Sequence, residues 1–210
     1  MQTIANHTLP SNPAELVRRA LGSPADVLPG CLVAVKALIM LTTLTALAVP
    51  AMHEFTGQAM TGRVLVYGVA VFLIPAGWVI RGRRSYPLAA DSFLMAPLLF
   101  DLAGNSLHLY ARFDHYDKAA HLVGLACSAM FAAALLRSYV DGRIALAAVA
   151  VAGGLLIGIA IELFEFAVFK HPQATGLGAY RDVIGDLTMD MLGAVIAAGT
   201  ILVGWRPVRP

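Results

Sequence analysis

Carboxylates and histidines recur at helical spacing inside otherwise apolar sequence. Glu162 and Glu165 are one turn apart in Glu-Leu-Phe-Glu, and Asp182, Asp186 and Asp190 follow one another at i+4 steps. Asp117 and His121 form another i, i+4 pair, while Asp101, Asn105, His108 and Arg112 fall at i, i+4, i+7 and i+11. On one continuous helix those last four would lie within an arc of roughly 60°, a single polar stripe. Acids this close repel, so some must hold a proton or share a cation. Oxygen ligands with one or two imidazoles suit Mg²⁺, Ca²⁺ or Mn²⁺, with Zn²⁺ or Fe admitted if His108 and His121 both bind. The expected ligands are Glu162, Asp186, Asp190 and His121, with Glu165 or Asp117 as general base toward a metal-bound water. Asp101, Asn105, His108 and Asp182 are expected to line the same pocket. Without a metal, the same acids would form the proton or cation relay of a transporter.

These groups need helices to carry them. The chain has 210 residues, 59% of them apolar and only 13% charged, with a mean hydropathy of +0.74. A soluble domain carries about 25% charged residues, so a water-soluble globule, a disordered chain and a nucleic-acid binder are poor fits. The formal charge of +2 gives no reason to expect a polyanion partner. Cys31 and Cys127 both lie in apolar runs and imply no disulfide framework. A spanning helix needs about 20 mainly apolar residues. Six stretches qualify, at residues 29–50, 63–80, 88–110, 118–136, 143–169 and 182–204. The fold class is therefore all-α, a polytopic bundle of six transmembrane helices. Residues 1–28 read as a short surface segment without a removable signal peptide, and residues 205–210 as a tail.

Orientation follows from the Lys/Arg bias of the loops. Arg18, Arg19, Arg81, Arg83, Arg84, Arg137, Arg143, Arg206 and Arg209 gather on one side, against Arg63, Arg112, Lys118, Lys170 and Arg181 on the other. This predicts both termini in the cytoplasm, with Lys36 snorkelling toward that side. Residues 29–87 read as two scaffold helices, where Pro50 and Pro75 end or kink the chain, and residues 88–204 as a four-helix core. The acids then fall at one end of the core, the predicted outer end: late in the third span, early in the fourth, late in the fifth and early in the sixth. The loop from Lys170 to Arg181 would form the rim. A charge at mid-bilayer costs about 2.5–3.5 kcal/mol on insertion scales, so nine of thirteen acids falling between Asp101 and Asp190 argues for a shared pocket. Asp114, Asp117 and Asp182, near expected helix starts, also suit simple capping. Gly193 and Ala197, below the acids, would let a neighbouring helix approach closely.

No HExxH, GxSxG or P-loop pattern occurs, and Glu162 is followed by Glu165 rather than the His of a di-iron bundle. The segments Phe113-Asp-His-Tyr-Asp-Lys-Ala-Ala-His121, Glu162-Leu-Phe-Glu165-Phe and Tyr180-Arg-Asp-Val-Ile-Gly-Asp-Leu-Thr-Met-Asp190-Met-Leu-Gly-Ala194 together resemble the YjdF-like bacterial inner-membrane proteins, a family of unknown function. More distantly, the Asp-Lys-x-x-His start and the late Asp-rich helix resemble VanZ-like proteins, implied in glycopeptide resistance. The resemblance covers residues 101–199. It points to Asp117, His121, Glu162, Glu165, Asp186 and Asp190, and it implies no particular reaction.

Three functions fit these readings. The first is a membrane protein with an outward-facing carboxylate/His pocket that binds a divalent cation and acts, as hydrolase or transferase, on an amphiphilic or lipid-linked envelope substrate. The second is a proton- or cation-coupled transporter, and the third a non-catalytic scaffold. The expected partners are the bilayer and a lipid-linked small molecule, with no nucleic acid. The sequence names no oligomeric state.

Overall fold

A computed structural model describes residues 24–49, 60–82, 85–167 and 176–204. These residues form seven helices and, among them, no strand: α1 (Pro24–Ala48), α2 (Met60–Ile80), α3 (Leu88–Ser106), α4 (Leu109–Arg112), α5 (Tyr116–Leu136), α6 (Arg143–Glu165) and α7 (Leu177–Gly204). Five segments within them are long and apolar enough to cross a membrane: Leu28–Ala48, Gly62–Ile80, Tyr116–Leu136, Arg143–Glu165 and Leu177–Gly204. The fold is thus a polytopic helical membrane bundle. The expected third span, represented by α3, is not in that set, because Asp91, Ser92, Asp101, Asn105 and Ser106 dilute its apolar residues. Neither the count of six nor the cytoplasmic placement of both ends follows from this architecture. The proposed rim loop, apart from its last residues, lies outside the described residues. So do residues 1–23 and 205–210, with the terminal arginines used for orientation.

Helices α5, α6 and α7 pack against one another, α3 lies against α5, and the α1–α2 pair covers α3. Small residues set how closely the first three approach. Ala129, Ala133, Ala147, Ala150, Ala194 and Ala197 are all buried between them. At Gly193 a side chain would run into the backbone carbonyl of Leu122, and at Gly154 a Cβ would lie 2.9 Å from that of Ala129. In a bilayer, where lipid tails are as apolar as leucine, such backbone-to-backbone fits hold helices together. A second buried cluster of Leu32, Ile39, Tyr67, Val71, Met95 and Leu102 joins α1, α2 and α3. Many of the large apolar side chains that remain, such as Leu65, Ile144, Leu156 and Val203, face outward, as expected of helices bathed in lipid.

The expected third span, at residues 88–110, is broken. The α3 ladder closes through the Leu107 N–H on Ala103 O at 3.0 Å and the His108 N–H on Asn105 O at 3.1 Å. His108 then takes a left-handed conformation (φ 54°, ψ 35°), the one positive φ outside glycine among the described residues. The chain turns there, and α4 brings Tyr110 back so that its hydroxyl donates to Asp101 at 2.9 Å. His108 and Arg112 therefore leave the stripe that a continuous helix would have made. Pro75 neither ends nor interrupts α2. The last long helix begins at Leu177 rather than Asp182, so Asp182 is not at its start.

Candidate functional site

The antiparallel run of α5, α6 and α7 brings the start of α5, the end of α6 and the first half of α7 to one end of the bundle. His121 stands at the centre. Its Nδ1 lies 3.0 Å from Asp190 Oδ1, and its Nε2 lies 3.7 Å from both Glu162 Oε1 and Asp186 Oδ1. All four residues are buried. With the proton on Nδ1 the ring donates to Asp190 Oδ1, and the contact turns the other nitrogen toward the acids. Gly158 makes room for this pair, since a Cβ there would lie 2.6 Å from Asp190 Oδ2. That oxygen is buried and has no hydrogen-bond partner among the described residues.

Two sets of side chains converge closely enough to hold an ion. Asp117, His121 and Asp186 offer ligand atoms all within 4.8 Å of one another, and so do His121, Glu162 and Glu165. Metal–ligand bonds of about 2.0–2.6 Å span separations of this size. Asp190 belongs to neither set. It sits behind the imidazole, where a carboxylate fixes the tautomer and orientation of a ligating histidine. Glu165, expected as a base, lies in the second of these sets.

Lys118, counted from sequence as an orienting charge and as part of the Asp-Lys-x-x-His motif but not among the site residues, lies beside these acids. Its ammonium lies 2.5 Å from Asp186 Oδ1, 3.2 Å from Asp182 Oδ1 and 3.7 Å from Asp117 Oδ2. It also donates to the Asp182 carbonyl at 3.3 Å. Asp182 thus serves as a partner of Lys118 across helices rather than as a cap, and its side chain is 45% exposed. Asp117 is in the first turn of α5, where its charge suits the helix dipole. The signal for Lys118 was present: it falls three residues before His121, on nearly the same helical face.

Asp101 and Asn105 are not part of this arrangement. Asp101 accepts from Arg63 Nε at 3.0 Å, from Asn105 Nδ2 at 2.9 Å, from the Tyr110 hydroxyl at 2.9 Å and from the Tyr67 hydroxyl. A carboxylate so fully occupied ties α2, α3 and α4 together and has little left to offer a ligand. Tyr116 closes the same corner, stacked on Phe100 and donating to its carbonyl at 2.8 Å. His108, at the turn, is in neither converging set. Asp101 and His108, expected to line the pocket, thus lie outside the two converging sets, and Asn105 bonds to Asp101. Arg63 and Tyr67, four residues apart on α2, were missed because the donors and the acid are distant in sequence.

A separate ion pair lies among α1, α2 and α3. Lys36 Nζ is 2.6 Å from Asp91 Oδ2 and donates to the Val71 carbonyl at 2.9 Å. The Tyr86 hydroxyl also donates to Asp91, and burial, followed by that acid, pushes the Tyr86 phenol above its ordinary range. Lys36 therefore does not snorkel. Asp91 is fully buried, and an apolar span hides a lysine because an aspartate on another helix meets it.

These features define a class: a polytopic helical membrane protein with a charged site at one end of its bundle. Residues 33–206 match the family model described as predicted membrane protein (DUF2238), and the chain belongs to that family. This agrees with the expected membership in an uncharacterised membrane family, and it carries neither the YjdF-like nor the VanZ-like name. No curated protein and no solved structure matches the chain.

Proposed function

We propose that the end of the bundle formed by α5, α6 and α7 is a divalent-cation centre held by His121 Nε2, Glu162 and Glu165, with Asp190 as the orienting group. Asp186 borders it from the Lys118 side. The observation that carries this reading is the placement of His121, one nitrogen committed to Asp190 at 3.0 Å and the other turned to Glu162 at 3.7 Å. Charge supports it: Asp117, Asp182 and Asp186 share the ammonium of Lys118, and Glu162, Asp186 and Asp190 surround the His121 imidazole. Carboxylates this close repel one another, and a bound cation relieves that repulsion. A divalent ion there would act as a Lewis acid and lower the pKa of bound water, and Asp117, which converges with His121 and Asp186, is the base available to it. Located at the end of apolar helices, the centre acts on an amphiphilic or lipid-linked molecule of the bacterial envelope.

The test is the metal content of the full chain purified in detergent after exposure to Mn²⁺ or Zn²⁺. Near-stoichiometric metal in the wild type, lost in Glu162→Gln/Glu165→Gln, is expected. Equal retention in the double variant would move the ion elsewhere. A folded wild type that retains none would refute the reading and leave proton or monovalent-cation carriage as the use of the same groups.

A further inference from the structure

The pocket already contains a cation of its own. Asp186 Oδ1, which lies 3.7 Å from His121 Nε2, is also the oxygen 2.5 Å from the Lys118 ammonium. Asp117 has the same double use, since it converges with His121 and Asp186 and also lies 3.7 Å from Lys118. Two positive charges cannot share these oxygens at such separations without strong repulsion. Two further features bear on which charge holds them. Gly185 leaves space for the lysine stem, since a Cβ there would lie 3.1 Å from Lys118 Cε. Asp190 Oδ2, behind the imidazole, is buried and has no hydrogen-bond partner among the described residues. Resting on the cation reading above, we infer that Lys118 is a tethered competitor: its ammonium fills the Asp186 side of the pocket, and a divalent cation that draws on Asp186 displaces it. Binding then releases the ammonium toward the side on which the lysine is already 29% exposed.

Mn²⁺ binding to the full chain in detergent, followed by the electron paramagnetic resonance of the free ion, tests this with Lys118→Met and Lys118→Arg beside the wild type. The methionine keeps length without charge and is expected to bind Mn²⁺ about tenfold to a hundredfold more tightly, the scale of one charge-assisted contact. The arginine should bind as the wild type does. Equal or weaker binding by Lys118→Met overturns the inference while leaving the cation centre standing. No binding by any of the three overturns both. A second measurement needs no variant: acetylation of Lys118 in the wild type should speed up when Mn²⁺ is added. Protection, or no change in a chain that has bound Mn²⁺, would show that the ammonium stays in place and the competitor reading is wrong.

Discussion

Asp101→Ala should destabilise the bundle without weakening the cation site, although the sequence alone would assign Asp101 to that site. Asp101 gathers Arg63 and Tyr67 from α2, Asn105 from α3 and Tyr110 from α4. Removing it leaves a guanidinium and two phenols without their acceptor. Breaking one side of a buried ion pair costs about 3–5 kcal/mol. Here the Arg63 and Asp101 side chains remain 17% and 27% exposed, so solvent screening places the expected loss near the lower end, about 3 kcal/mol. Arg63→Met should cost less, about 1–2 kcal/mol, because Asp101 keeps three donors. The double variant should cost less than the sum of the two, with a coupling of at least about 1 kcal/mol. Equilibrium unfolding in mixed micelles, with Mn²⁺ affinity measured on each folded variant, reads both quantities. Strict additivity, or a loss for Asp101→Ala under about 1 kcal/mol, would refute the account of Asp101 as a tie between helices. A tenfold fall in Mn²⁺ affinity in a folded Asp101→Ala would return it to the pocket.

Asp190→Asn should lower Mn²⁺ affinity about tenfold to a hundredfold, as expected when the carboxylate behind a ligating histidine is lost; unchanged affinity would deny Asp190 that role. Gly193→Leu should destabilise by about 1–3 kcal/mol or more, because the side chain meets the backbone at Leu122 and Ala126. Gly199→Leu, on the same helix but facing open space, is its control, and similar losses at both positions would discredit the close fit of α5 to α7. Lys36→Met and Asp91→Leu should each cost about 3–5 kcal/mol in detergent unfolding, while the pair together should recover most of that loss. A double variant as damaged as the worse single one would show that the two residues do not stabilise the bundle through each other.

What the sequence revealed and what it hid divide along a physical line. Helical periodicity is local, so the spacing of Glu162 with Glu165, and of Asp182, Asp186 and Asp190, was enough to place them at one end of α6 and α7. The break at His108 is not local. The apolar pattern runs on through Leu107 and Leu109, and the turn is accompanied by the Tyr110 contact with Asp101 and the packing of Tyr110 against Tyr116 at 4.9 Å. Ion pairs were hidden for the same reason: Lys36 and Asp91, or Arg63 and Asp101, meet only once the order of helices in space is known. That distinction decides the chemistry as well. Asp101 and Asp186 are the same residue type, each on an apolar helix and each read as belonging to one pocket. Asp101 meets four donors and is satisfied within the protein. Asp186 shares Lys118 with Asp117 and Asp182 and faces the His121 imidazole that Asp190 also contacts. A carboxylate becomes available to a ligand through the surplus of acids over cations around it. That surplus can be counted only after every lysine and arginine has been assigned to the acid it meets.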